Sequence, residues 1–180
     1  MQAKKHDYEL DELVGIDYQN KYKEGYFITI YLAPTDYHRI HCPWDGEVIH
    51  SNHLGSSLYS VNKKAQESIP RLYIKNERSV MHIVSNSLEY ALVSVGASVV
   101  GSIVPFWIDN KDCSRKELVK EWKIGPPEDT KVKKGDELAY FRMGSTVILI
   151  FKDSDKIDLD SLKENKLVKF GNKLVSLKNI

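Results

Sequence analysis

The chain has 180 residues, 42% hydrophobic and 28% charged, which is enough for one domain with a buried core. Its 26 basic and 25 acidic residues leave a net charge of +1, so no overall field favours nucleic acid or an anionic bilayer, and any such attraction must be local. No run reaches the ~20 apolar residues of a spanning helix, and the start Met1-Gln2-Ala3-Lys4-Lys5-His6-Asp7 has no apolar signal-peptide core, so a soluble or weakly peripheral protein is expected. Cys42 and Cys113 lack metal-ligand spacing, which predicts free thiols in a reducing compartment.

In chain order, the pattern predicts a short helix at 10–14 ended by Gly15, then a strand at 25–32 closed by the turn Ala33-Pro34-Thr35-Asp36. A strand at 46–50 follows Trp44-Asp45-Gly46, and a helix at 63–68 precedes strands at 79–84, 89–95 and 98–107. Next come a helix at 115–122, an exposed loop at 125–134 and the turn Lys133-Lys134-Gly135-Asp136. Strands at 137–142 and 146–151 and a helix at 158–164, capped by Asp158, complete the chain. Short strands separated by frequent turns predict a mainly β, α+β chain whose few helices decorate the sheet: an antiparallel sandwich or barrel-like single domain over 1–180.

The chemistry concentrates in two places. Gly144-Ser145-Thr146 interrupts the apolar run 139–150, where a serine hydroxyl can attack the carbonyl of the residue before it. Glycine, without Cβ, leaves that carbonyl open, but a base must take the serine proton, and histidine is the usual one near neutral pH. The plainer reading is a bulge in a strand, and Gly55-Ser56 and Gly101-Ser102 offer the same dipeptide. His38 and His41 lie on the proline-flanked segment Tyr37-His38-Arg39-Ile40-His41; on a helix they would share a face, in an extended segment they would oppose.

The other candidates are weaker. His50 and His53 have no metal-site spacing with Cys42 and read as surface-loop residues, His82 reads as a core residue, and His6 as exposed. Arg39 and Arg78 suit a carboxylate or phosphate, with structural salt bridges as the simpler role. Tyr31, Tyr37, Trp44, Phe106 and Trp107 fit either a lipid entrance or core packing.

Tyr31 to Gly46, Ser60-Val61-Asn62, Asn76-Glu77-Arg78, Val95-Gly96-Ala97, Val99-Val100-Gly101-Ser102-Ile103, Lys134-Gly135-Asp136-Glu137-Leu138 and Met143-Gly144-Ser145-Thr146-Val147 occur in the order found in bacterial phosphatidylserine decarboxylases, and the chain resembles that family over nearly its whole length. The hairpin at 132–139 also resembles carrier barrels, without the modified lysine's context. The family resemblance implies a zymogen in which Ser145 cleaves the chain after Gly144, giving a large fragment, 1–144, and a small one, 145–180. Ser145 then becomes a covalent pyruvoyl cofactor, which forms a Schiff base with phosphatidylserine, releases carbon dioxide and yields phosphatidylethanolamine; no metal is implied. By the same resemblance His41 is the base for self-cleavage, and His38 protonates the substrate carbon or holds its carboxylate.

The resemblance further implies a phosphatidylserine substrate, a weak peripheral membrane contact, a homodimer, no nucleic acid, and a place in the cytoplasm or on the cytoplasmic face of the membrane. Family members carry membrane-associating helices and a Pro-x-Asp-Gly aspartate, which steadies the processing histidine, upstream of the segments matched here. Asp36 and Asp45 match ordinary family positions. A truncated, non-processing decarboxylase-like domain that binds lipid or a partner is therefore the alternative.

Overall fold

Two strands are buried almost end to end: Ser145–Phe151 at every position and Arg78–Val84 at all but the last. Such burial requires cover on both faces of a sheet, and it explains why residues 147–151 read as a continuous apolar run rather than an alternating one. The computed structural model describes residues 2–3, 6–7, 10–15, 18, 20–23, 25–98, 103–106, 130–142, 145–158 and 166–178.

β1 (Gln2–Ala3) pairs with β2 (His6–Asp7), and α1 (Leu10–Val14) follows. The remaining elements are β3 (Tyr26–Leu32), β4 (Arg39–His41), β5 (Gly46–Leu54), α2 (Lys63–Ser68), α3 (Leu72–Lys75), β6 (Arg78–Val84), β7 (Glu89–Val95), β8 (Ile103–Pro105), β9 (Lys131–Val132), β10 (Glu137–Phe141), β11 (Ser145–Phe151), β12 (Ile157–Asp158) and β13 (Ser176–Leu177). Six strands form one antiparallel sheet in the order β3-β11-β7-β6-β5-β9, and three form a second in the order β4-β10-β8. The sheets stay open and no barrel closes among the described residues.

Alternation along the strands of the larger sheet fills two cores. Met81, Ile83, Tyr90, Leu92, Val147, Leu149 and Phe151 face the smaller sheet, meeting Ile40, Ile103, Leu138 and Phe141. Val80, Ala91, Val93, Val95, Ile148 and Ile150 face the other way, against Leu13, Val14, Leu72 and Tyr73. The helices thus enclose a core of their own rather than merely decorating the sheet. α2 starts where the Asn62 side chain accepts a 2.9 Å bond from the Ala65 amide.

Helices 10–14 and 63–68 and strand 89–95 fall where the sequence places them. The strand expected at 46–50 instead runs to Leu54, past an irregularity between Val48 and His50. That corrects the surface-loop reading of His50 and His53: both are strand residues, and His53 is buried. Asp158 pairs with Ser176 in β12 and β13. Residues 159–164, the predicted helix at 115–122, Cys113, Trp107 and half of the predicted strand at 98–107 lie outside the described residues.

Candidate active site

Ser145 opens β11, the strand held between β3 and β7. It sits opposite Leu32, and the Thr146–Val95 pairing carried one residue further puts it opposite Gly96. Its side chain shares a face with Val147 and Leu149, so it looks toward the smaller sheet. It is 0% exposed, and its Oγ has no hydrogen-bond partner among the described residues. An unpaired buried hydroxyl is costly, which marks this position as one not shaped for stability alone. Gly144, the other half of the predicted cleavage bond, lies outside the described residues.

β10 delivers the chain to Ser145, and β4 runs beside β10. The Phe141 amide donates to the His38 carbonyl at 2.9 Å, which sets His38 at the end of β10 nearest the connection into β11. Its Nε2 lies 3.2 Å from the Pro34 carbonyl, which can only accept, so Nε2 carries the proton. Nδ1 is left as a lone pair, buried and without a partner among the described residues.

His41 sits at the other end of β4, opposite Glu137. Ile40 points into the core, so its neighbours Arg39 and His41 point outward. The His41 Nδ1 donates to the Gly135 carbonyl at 2.8 Å, and its Nε2 accepts from the Tyr37 hydroxyl at 2.8 Å. Phe170 and Tyr37 flank the ring, with centroids 4.7 and 5.7 Å away. The structure therefore gathers His38 with the β10–β11 connection and holds His41 in an aromatic and carbonyl setting of its own. Neither histidine is hydrogen-bonded to Ser145.

Other sequence candidates resolve into structural roles. Asp36 accepts from the Ala33 amide and Asp45 from the Lys134 amide, both at 2.7 Å, as turn-forming carboxylates. Arg39 Nη1 contacts both Glu137 oxygens at 2.6 and 2.7 Å. The Arg78 guanidinium is buried and donates to the carbonyls of Leu13, Glu12 and Ile74 at 2.8, 2.7 and 2.6 Å. Burial brings its pKa down to about 10, partly offset by Glu12. His82 is a core residue as expected: it stacks on Tyr18 and pairs Nδ1 with the Tyr22 hydroxyl at 3.0 Å. Burial, then His50 and Lys21, pull its pKa down to about 3. Cys42 is a buried free thiol, raised in pKa by that burial, with Sγ donating to the Trp44 carbonyl. Trp44 packs edge-on against Phe151, whereas Tyr31, Tyr37 and Phe106 are exposed.

Sequence reasoning missed one set of residues. His53, Glu77 and Ser94 are buried on the face that carries Ser145, and each has a polar atom unpartnered by hydrogen bonds among the described residues. The available signal was three polar residues, Asn76-Glu77-Arg78, placed directly against a strand too apolar to border solvent.

A profile of the family described as phosphatidylserine decarboxylase matches residues 1–176. Similar proteins include the phosphatidylserine decarboxylase proenzyme of Methylobacillus flagellatus, 36% identical over 158 residues, covering 87% of this chain and 56% of that one. The proenzymes of Hamiltonella defensa and Vibrio parahaemolyticus are each 39% identical, covering 92% of this chain and 59% of theirs. The chain thus spans somewhat under two thirds of the length of these curated relatives. The profile match over residues 1–176, with a buried serine at the Gly-Ser position, places this chain in the phosphatidylserine decarboxylase family.

Proposed function

We propose that this chain is the processing and catalytic domain of a phosphatidylserine decarboxylase, cleaving itself between Gly144 and Ser145. The observation that carries the reading is Ser145 itself: 0% exposed, at the first position of a central strand, its hydroxyl without a hydrogen-bond partner among the described residues. A hydroxyl not committed to another hydrogen bond is open to a base that takes its proton, and a strand position fixes its aim. The residues around it suit a small polar group in place of the serine, since Ser94, Glu77 and His53 carry polar atoms on the same face that have no hydrogen bond among the described residues. Once formed, a pyruvoyl group at 145 supplies an electron sink for loss of carbon dioxide from an amino acid headgroup.

His41 is assigned as the base for the cleavage. Its Nε2 holds a lone pair, as a base requires, although Tyr37 has to release it first. His38 is assigned as the proton donor to the substrate carbon: its Nδ1, unpartnered among the described residues and on the segment nearest the β10–β11 connection, has first to take up the proton that it passes on. Intact-mass measurement of purified protein tests the whole reading. Fragments 1–144 and 145–180, the smaller one blocked at its amino end, are expected; a single full-length mass that persists on incubation overturns it. In the variants, His41→Gln blocks fragment formation, while His38→Gln still cleaves and loses carbon dioxide release.

Peripheral membrane contact belongs to the same proposal. Leu167 is 85% and Phe170 66% exposed, and exposed Lys166, Lys169 and Lys173 surround them with no acidic residue between 166 and 173. Apolar tips within a basic rim favour an anionic bilayer. The substrate is phosphatidylserine, and a homodimer at the cytoplasmic face completes the proposal.

A further inference from the structure

Asn76, Glu77 and Arg78 enter β6 together and have opposite fates. The Asn76 side chain makes three hydrogen bonds, to the Tyr59 amide, the Tyr59 carbonyl and the Gly96 carbonyl. Arg78 is covered by main-chain carbonyls on the opposite face. Glu77 lies between them, 0% exposed, and neither carboxylate oxygen has a hydrogen bond among the described residues. Its ionisable neighbour among the described residues is His53, whose Nε2 lies 3.2 Å from Oε1 without hydrogen-bond alignment. A carboxylate that served only the fold would be paired as its neighbours are.

Register locates this carboxylate relative to Ser145. Arg78 pairs with Val95 and Thr146 pairs with Val95, so one step beyond, Glu77, Gly96 and Ser145 form a row across three strands. The Gly96 amide donating to the Glu77 carbonyl at 2.8 Å continues the ladder to this row. Residues in a row share a face. Neighbouring strands are about 4.8 Å apart, which sets Glu77 roughly 10 Å from Ser145 at the Cα atoms. The residue between them is glycine, so no side chain of the row fills the gap. A Cβ at Gly96 would lie 3.9 Å from the Glu77 Cβ and 3.5 Å from the Leu58 side chain, which covers the row. The next row on the same face, two residues along each strand, holds His53, Ser79, Ser94 and Val147.

We infer that Glu77, backed by His53, receives the primary ammonium of the substrate beside residue 145; the inference rests on the decarboxylase reading above. An ammonium has no lone pair and cannot attack a carbonyl carbon. Transfer of one N–H proton to a Glu77 oxygen leaves a neutral amine and a carboxylic acid, with atoms and charge conserved and no oxidant needed. His53 Nε2 is placed to take that proton onward from Oε1 and restore the carboxylate. The Gly96 gap gives the nitrogen its way across, with Leu58 the side chain that must yield. The role is separate from self-cleavage, which involves no amine ligand.

The test uses the full chain carrying Ser145→Ala, which cannot process, so binding is read without turnover. Calorimetric titration with dihexanoyl phosphatidylserine and with its N-acetyl derivative is run in buffers of different ionisation enthalpy, which counts protons exchanged. The free-amine probe is expected to bind at least 10-fold tighter than the N-acetyl probe. Adding Glu77→Gln should remove that preference and change the proton count, leaving the N-acetyl probe unaffected. Equal binding of both probes by Ser145→Ala, binding of neither, or an unchanged preference after Glu77→Gln overturns the inference. Should Glu77→Gln fail to fold, the probe comparison on Ser145→Ala and the proton count in His53→Gln still decide it. Failure of the decarboxylase reading is seen separately, as an uncleaved mass in the unsubstituted chain.

Discussion

The Tyr37 hydroxyl donates to the only His41 nitrogen that has a lone pair to offer, at 2.8 Å, while the other nitrogen is held by the Gly135 carbonyl. Tyr37 therefore restrains the base assigned to self-cleavage. A neutral hydrogen bond contributes about 0.5–1.5 kcal/mol, so Tyr37→Phe should speed appearance of the 1–144 fragment roughly 2- to 10-fold. Time-resolved intact mass after synthesis in a cell-free system measures this. Slower cleavage would show that Tyr37 orients the ring instead of restraining it.

Ser145→Ala should stabilise the uncleaved chain. It removes a buried hydroxyl that has no hydrogen-bond partner among the described residues and keeps nearly the same volume. The expected gain is about 1 kcal/mol, seen as a higher urea midpoint with an unchanged slope when both chains are compared before processing. A loss of stability would mean that the hydroxyl is satisfied in solution.

Acid should weaken the fold through His82. Its pKa is about 3 when folded and 6.5 when unfolded, so the unfolded chain binds the proton first. The stabilisation is full above pH 6.5 and is lost as pH falls toward 3, at about 1.4 kcal/mol per unit within that window. Urea midpoints at pH 7.5 and 5 should differ, and His82→Gln should flatten the difference. Identical midpoints in the unsubstituted chain would refute this account of the buried ring.

Leu167→Asp should weaken attachment to anionic vesicles. Burying a leucine side chain is worth about 1.5–3 kcal/mol, so retention on phosphatidylglycerol vesicles should fall by roughly 10-fold or more. Co-sedimentation reports it, with phosphatidylcholine vesicles as the uncharged control. Equal retention of both chains would move the membrane contact elsewhere.

The sequence was most legible where local pattern and tertiary environment agree. Glu89–Val95 is β-branched and aromatic and is buried as a strand, and Leu10–Val14 stops at a glycine with φ of 97°. It was least legible where pairing, not propensity, makes the strand. Arg39–His41 is three residues long and polar at both ends, and it becomes β4 only because β10 lies alongside. Polarity misled in the same way at His53, since a histidine next to serine and asparagine looks like loop until the register buries it. The Gly-Ser site itself was visible through its resemblance. Glu77 was not, because a carboxylate's burial depends on strands far away in sequence: β7 across one edge and β11 beyond it.

β11 is hydrogen-bonded along its length to β3 on one side and β7 on the other. Should the chain open just before it, the new amino end would begin inside a sheet, clamped by β3 from its first residue and by β7 from its second. Chain ends ordinarily fray. This one would be as fixed as any position in the core, so a reactive group born there would need no loop or lid to aim it. The two pieces could part company only by unfolding.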